Sequence, residues 1–264
     1  MNYVLLDTDF ISKGHISQID SGYHLMDLVM DFPDCEFYCH EKTVEELKRH
    51  NIGDSPSWLA DRISTGKIKC FTDKNIIQTM QTIYGAGAVS MYCQFLKKSC
   101  DAFAPKYYES HFGVLQEFET DVSLDEFLAQ VELCEKEIGK GQSLGEKKSY
   151  ILLQMLQMMH PGEVYVFCSD DRDARRNITS IADVKCISIL SLFCELSYRG
   201  FSKQDVEPYF RSYEEFCLRH NQSDFKIWIE DKGWKRISVP SRQVLDDIFD
   251  GKIVELGTGE LMYK

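Results

Sequence analysis

The chain opens on a short apolar run, Val4-Leu5-Leu6, that breaks into Asp7-Thr8-Asp9 before Phe10 and Ile11. A continuous apolar run that stops at a carboxylate is the pattern of a buried parallel strand delivering an acid to the open edge of an α/β sheet. The pattern returns far downstream in Val164-Tyr165-Val166-Phe167-Cys168-Ser169-Asp170-Asp171. If the two strands are neighbours, their acids meet at one edge. There they repel one another unless a cation lies between them.

Further strands are predicted at 35–39, 68–72 and 184–190. Helical spacing of apolar residues predicts helices over 23–32, 43–50, 58–64, 89–104, 123–138, 146–159 and 191–199. Thr43 with Glu46, and Ser123 with Glu126, have the spacing of capping boxes. Residues 75–120, rich in Met, Tyr, Phe and Cys, read as a helical insertion within a domain covering 1–199. The segment 139–145 contains three glycines but lacks the spacing of a phosphate-binding loop. After Gly200 the texture changes: 203–220 reads as a helix, Phe225, Ile227 and Ile229 alternate like a half-exposed strand, and 242–249 reads as a helix. Residues 200–264 are therefore expected to form a small α+β appendage.

Composition narrows the picture. With 264 residues, 44% hydrophobic and 27% charged, the chain can bury the core of one large α/β domain or of a domain plus an appendage. No apolar run approaches the roughly 18 to 20 residues of a membrane span, and the start lacks the features of a secretory leader, so a soluble cytoplasmic protein is expected. The ten cysteines lie mostly in apolar segments and read as buried free thiols. Cys35, Cys39 and His40 lack the second ligand pair that a structural zinc requires. The net charge of −12 argues against holding nucleic acid by bulk charge, and leaves room for a local basic patch.

Candidate chemistry gathers at the acids. Four segments carry them at predicted strand or helix ends: Asp7; Glu45 and Glu46; Glu146; and Asp170, Asp171 and Asp173. As Leu6-Asp7-Thr8-Asp9, Glu45-Glu46-Leu47, Leu144-Gly145-Glu146 and Ser169-Asp170-Asp171, this set in this order resembles the PIN-domain family of metal-dependent ribonucleases over roughly residues 1–190. The resemblance implies a three-layer α/β/α PIN-like fold with a central parallel sheet. It makes Asp7, Glu46, Glu146 and Asp171 the catalytic carboxylates that bind Mg²⁺ or Mn²⁺. Thr8, Asp9, Ser169, Asp170 and Asp173 would support them, Asp173 having the alternative of capping the helix that follows. Glu146 replaces the Asp often found at that position, which lengthens its reach by one methylene.

The reaction implied is metal-assisted hydrolysis of RNA phosphodiesters. Lys48, Arg49, Arg172, Arg175 and Arg176 lie just beyond the acids, where they either grip an RNA backbone or simply solvate a helix face. In the appendage, Lys226, Lys232, Lys235 and Arg236 interleave with Trp228 and Trp234, a composition suited to single-stranded RNA, or to a small core filled by the tryptophans. Many proteins of this fold are toxins held by an antitoxin, so an antitoxin or other protein partner, or a homodimer, is compatible company.

Two other readings compete. Asp7 and Asp9 also match the nucleophile and general acid of a haloacid-dehalogenase-like phosphatase, with Asp170 and Asp171 binding Mg²⁺ and Lys147 or Lys148 steadying a phosphoryl group. That reading leaves Glu46 without a role and meets Ile11 where Thr or Val is usual. The second is a non-catalytic RNA- or protein-binding module, which would carry four acids at a standing electrostatic cost.

Overall fold

The computed structural model describes residues 1–50, 52–118, 122–138 and 144–264. β1 (Asn2–Leu6) leads into α1 (Thr8–Ile16) and α2 (Leu25–Met30), and β2 (Cys35–His40) into α3 (Glu41–His50) and α4 (Ser55–Ser64). β3 (Ile68–Phe71) is followed by α5 (Asp73–Tyr84), α6 (Ala88–Phe103), α7 (Tyr107–His111), α8 (Leu124–Ile138) and α9 (Leu144–Met159). Then come β4 (Val164–Cys168), α10 (Arg172–Ile181), β5 (Lys185–Ile187) and α11 (Ile189–Tyr198).

The five strands form one parallel sheet in the order β3-β2-β1-β4-β5. The two acid-ending strands are neighbours: Leu6 lies opposite Cys168, and the Asp7 amide donates to the Cys168 carbonyl at 2.9 Å. From β1 the chain moves outward on one side through β2 and β3, then returns to place β4 and β5 on the other. The carboxyl ends of β1 and β4 thus flank the point where strand order reverses, the crevice in which open α/β sheets take ligands.

Alternation along the strands feeds two cores. Val4, Leu6, Phe37, Val166 and Ile187 join one, with Phe10, Leu25, Leu59 and Leu192. Tyr3, Leu5, Tyr38, Tyr165 and Phe167 join the other, with Ile76, Leu96, Phe127 and Leu152. With helices burying both faces, the layers are α/β/α. The stretch from residue 75 is helical through α5, α6 and α7 as the spacing predicts; residues 119 and 120 of the expected insertion, and 139–143 of the glycine segment, lie outside the described residues.

Local capping differs from expectation at the start of α3. Thr43 is not an N-cap, because α3 begins two residues earlier and the His40 ring Nδ1 accepts from the Lys42 amide at 3.2 Å. Glu46 is thereby freed from a capping box. Ser123 does cap α8, its amide donating to Glu126 Oε2 at 2.9 Å.

The remaining chain comprises α12 (Lys203–Arg219), β6 (Asp224–Glu230), β7 (Trp234–Pro240), α13 (Ser241–Phe249), β8 (Ile253–Glu255) and β9 (Leu261–Tyr263). Its strands form a second sheet, β7-β6-β9-β8. Phe225, Ile227, Val239 and Leu245 enter the same core as Val4 and Phe10. The tryptophans do not fill that core: Trp228 is half-buried under the Arg236 guanidinium, and Trp234 is 59% exposed.

Candidate metal centre

Asp7 follows the last residue of β1 and is buried. The Ser169 hydroxyl, just past β4, donates to Asp7 Oδ2 at 2.8 Å and accepts from the Asp171 amide at 3.1 Å. One serine thus braces the ends of both acid strands. Asp171 is the N-cap of α10: its Oδ1 accepts from the amides of Asp173 at 2.7 Å and Ala174 at 3.0 Å. Asp173 therefore does not cap the helix, and it meets the acids only through its amide. Its side chain is exposed, beside the Arg172 Nε.

Glu46 reaches the same edge from α3, where the Thr8 hydroxyl donates to its Oε2 at 3.1 Å. Helix α9 meets it at Gly145. A Cβ there would stand 2.5 Å from Glu46 Oε2 and 2.9 Å from its Cδ, so a side chain at this position would push the Glu46 carboxylate aside. The next residue is Glu146, whose Oε2 is buried and has no hydrogen-bond partner among the described residues.

These acids feel one another. Burial pushes the Asp7 carboxyl well above the usual carboxylate range; the charge of Glu146 adds to this, and the bonds from Ser169 and the Thr8 amide oppose it. Burial likewise raises Glu146, to about 7, with the charges of Glu46 and Asp171 adding to it. An oxygen-rich, partly desolvated set with an orphaned carboxylate oxygen suits a hard divalent cation. Asp7, Glu46, Glu146 and Asp171 are carboxylates that could hold such a cation.

The supporting residues divide. Thr8 and Ser169 hold Glu46 and Asp7. Asp170 is bound instead to Lys13 Nζ and to the Ile189 amide at the start of α11, so it ties α1 to α11. Asp9 is half-buried in the first turn of α1. Among the predicted RNA contacts, Lys48, Arg49 and Arg172 are exposed, Arg49 lying 3.8 Å from Glu46. Arg175 is not available to a phosphate: it is buried and donates to the carbonyls of Thr258 at 2.9 Å and Ser169 at 2.6 Å. Arg176 is engaged by both oxygens of Glu260.

A second charged cluster, which the sequence pattern did not announce, lies at the same sheet edge beyond β2 and β3. His40, Glu41 and Asp73 bring one ligand atom each within 4.8 Å of one another, closer than any three of the four acids above. A cation is already built in. Lys148, fully buried, donates to Asp73 Oδ2 at 2.6 Å and to the Tyr92 hydroxyl at 2.8 Å, and pairs with Glu135 at 2.6 Å. The Tyr92 hydroxyl donates to Asp73 Oδ1 at 2.6 Å, and His40 Nε2 lies 3.2 Å from the same oxygen. Despite burial, the Lys148 ammonium holds Asp73 well below its ordinary value, and Asp73 and Glu135 hold Lys148 well above its own. Lys148 is thereby withdrawn from the phosphoryl-steadying role. Lys147 lies over the rings of Tyr107 and Phe103, and burial lowers its pKa. The signal in the sequence was faint: Lys147-Lys148-Ser149 ahead of the apolar run Tyr150–Leu153.

Compared with protein-family models, curated proteins and solved structures, the chain matches none. No helix among the described residues is long and apolar enough to cross a membrane, and all ten cysteines are free thiols.

Proposed function

We propose that the chain is a PIN-like ribonuclease dependent on Mg²⁺ or Mn²⁺, with Asp7, Glu46, Glu146 and Asp171 as its metal-binding carboxylates. The observation that carries this reading is the buried, unpartnered Oε2 of Glu146, set among the charges of Glu46, Asp171 and Asp7 at the strand-order reversal. When bound, the cation would make a water more acidic and offset charge growing on a scissile phosphate.

The chain's own groups do the rest. Ser169 fixes Asp7, and Thr8 fixes Glu46. Burial raises the Glu146 carboxyl to about 7, and holding a cation there would favour its ionised form. Lys48, Arg49 and Arg172, exposed beside the acids, hold the RNA backbone by charge. Trp234 offers an exposed ring on which a base can stack. The phosphatase reading is the weaker one, because Lys148 is spent on Asp73 and Glu135 and the reading leaves Glu46 idle.

The test is cleavage of a labelled single-stranded RNA with Mn²⁺ or Mg²⁺, run beside Asp7→Asn, Glu146→Gln and a generic phosphatase substrate. Metal-dependent cleavage lost in both variants is expected. Phosphate release from the small substrate with intact RNA would replace the nuclease by the phosphatase. Inactivity of the wild type towards both would overturn the enzymatic reading.

A further inference from the structure

The last strands of the chain reach the acidic edge through one side chain. The turn between β8 and β9 docks on α10 and β5: the Cys186 amide donates to the Gly257 carbonyl at 2.8 Å, and the Ser188 hydroxyl to that of Gly259 at 2.8 Å. Into this turn projects Arg175. Its Nε donates to the Thr258 carbonyl at 2.9 Å and its Nη1 to the Ser169 carbonyl at 2.6 Å. Ser169 is the residue whose hydroxyl holds Asp7 and receives the Asp171 amide. Gly259 makes the close approach possible. A Cβ there would stand 3.0 Å from both Arg175 Nε and the Cys186 carbonyl, and its φ of +71° already disfavours other residues.

We infer that Arg175 is a positioning residue for the acidic site and that the turn 257–259 is part of that site's construction, holding Ser169, and through it Asp7 and Asp171, in place. Guanidinium geometry matters to this role. A planar fork can donate in two directions at once to two carbonyls, and a lysine ammonium on a flexible stem cannot reproduce that arrangement. The consequence is that the second sheet is coupled to the first sheet's chemistry without touching it. This inference deepens the metal-centre reading, and rests on it only for its consequence for cation binding.

The experiment compares the full-length wild type with Arg175→Lys, Gly259→Ala and Glu260→Gln by two measurements. The first is amide hydrogen exchange in the metal-free protein at Asp171, set against amides of α5, which lies at the β3 end of the sheet. The second is Mn²⁺ affinity by calorimetry. Arg175→Lys and Gly259→Ala are expected to speed exchange at Asp171 by about tenfold with α5 unchanged, and to weaken Mn²⁺ binding by about tenfold. Glu260→Gln cuts the Arg176 contact but leaves the Arg175 fork, and should change both by less than about twofold. Unaltered Asp171 exchange in both of the first two variants, or equal acceleration at Asp171 and α5, would overturn the inference. Failure of the wild type to bind Mn²⁺ would instead sink the metal reading, and the exchange data would still decide the coupling.

Discussion

Two acidic clusters stand along one edge of one sheet, and they are stabilised in opposite ways. Beyond β2 and β3, Asp73 and Glu135 enclose the ammonium of Lys148, with the Tyr92 hydroxyl and the His40 ring completing the shell. Between β1 and β4, Glu146 feels the charges of Glu46 and Asp171 and adds its own to Asp7, and Glu146 Oε2 has no partner among the described residues. Burial raises the carboxyls of both clusters, and the neighbouring charges decide the outcome. Asp73 is driven down by its internal cation, whereas Asp7 and Glu146 are driven up by desolvation and mutual repulsion. A cluster that brings its own counter-charge is a structural clasp. One that leaves repulsion standing holds strain that a ligand can relieve.

The contrast is broken most severely at Lys148. Replacing it by Met leaves Asp73 and Glu135 buried without their cation, which should cost about 3–5 kcal/mol and unfold much of the population. Denaturant unfolding measures it. A loss below about 1 kcal/mol would mean that the clasp is not what joins α9 to α5 and α8.

Asp7→Asn should leave the fold intact and reduce metal-dependent RNA cleavage by at least about a hundredfold, since it removes a carboxylate from the cation and alters the acceptor of the Ser169 hydroxyl. Single-turnover rates on labelled RNA give the value.

Glu146→Gln sharpens the comparison through pH. The folded value of Glu146, about 7, lies above the ordinary 4.5, so the folded state binds more protons between the two. Its contribution favours folding at low pH and is lost as pH rises from about 4.5 to about 7. The variant should lack this slope and, above about pH 7, be more stable than the metal-free wild type by about 1–2 kcal/mol. Asp73 has the opposite sign: its contribution is present above its ordinary value of 3.8 and is lost as pH falls through lower values. Unfolding free energies across pH, with and without Glu146→Gln, separate the two slopes. The smallest effect is expected from Lys48→Ala with Arg49→Ala, about a three- to tenfold rise in KM for RNA that shrinks as salt is added, with kcat little changed.

Much of this edge was legible in the chain. The runs ending in Asp7 and Asp171 announced two buried parallel strands, while their adjacency stood only as a condition until the structure paired Leu6 with Cys168. Gly145 before Glu146 was visible as a motif, but its reason was not: a side chain there would push aside the Glu46 carboxylate, which packs against the glycine from a helix about a hundred residues earlier. Long-range pairings of this kind leave no local trace. The same holds for Arg175, which reads as one more cation beside Arg172 and Arg176 until the β8–β9 turn closes over it. It holds also for Lys148, whose partners come from α5, α6 and α8. Thr43 misled because its spacing to Glu46 satisfied a capping rule, while the His40 ring, at the end of the preceding strand, had already taken the Lys42 amide.

The most direct test of the uncompensated cluster is a calorimetric Mn²⁺ titration at about pH 8, with thermal unfolding of the same samples. Wild type should bind Mn²⁺ and gain stability from it. Asp7→Asn and Glu146→Gln should bind at least about tenfold more weakly, with Glu146→Gln the more stable of the metal-free proteins. A wild type whose unfolding is unmoved by millimolar Mn²⁺, or variants that bind as tightly as it does, would contradict the assignment of these four acids as a cation site.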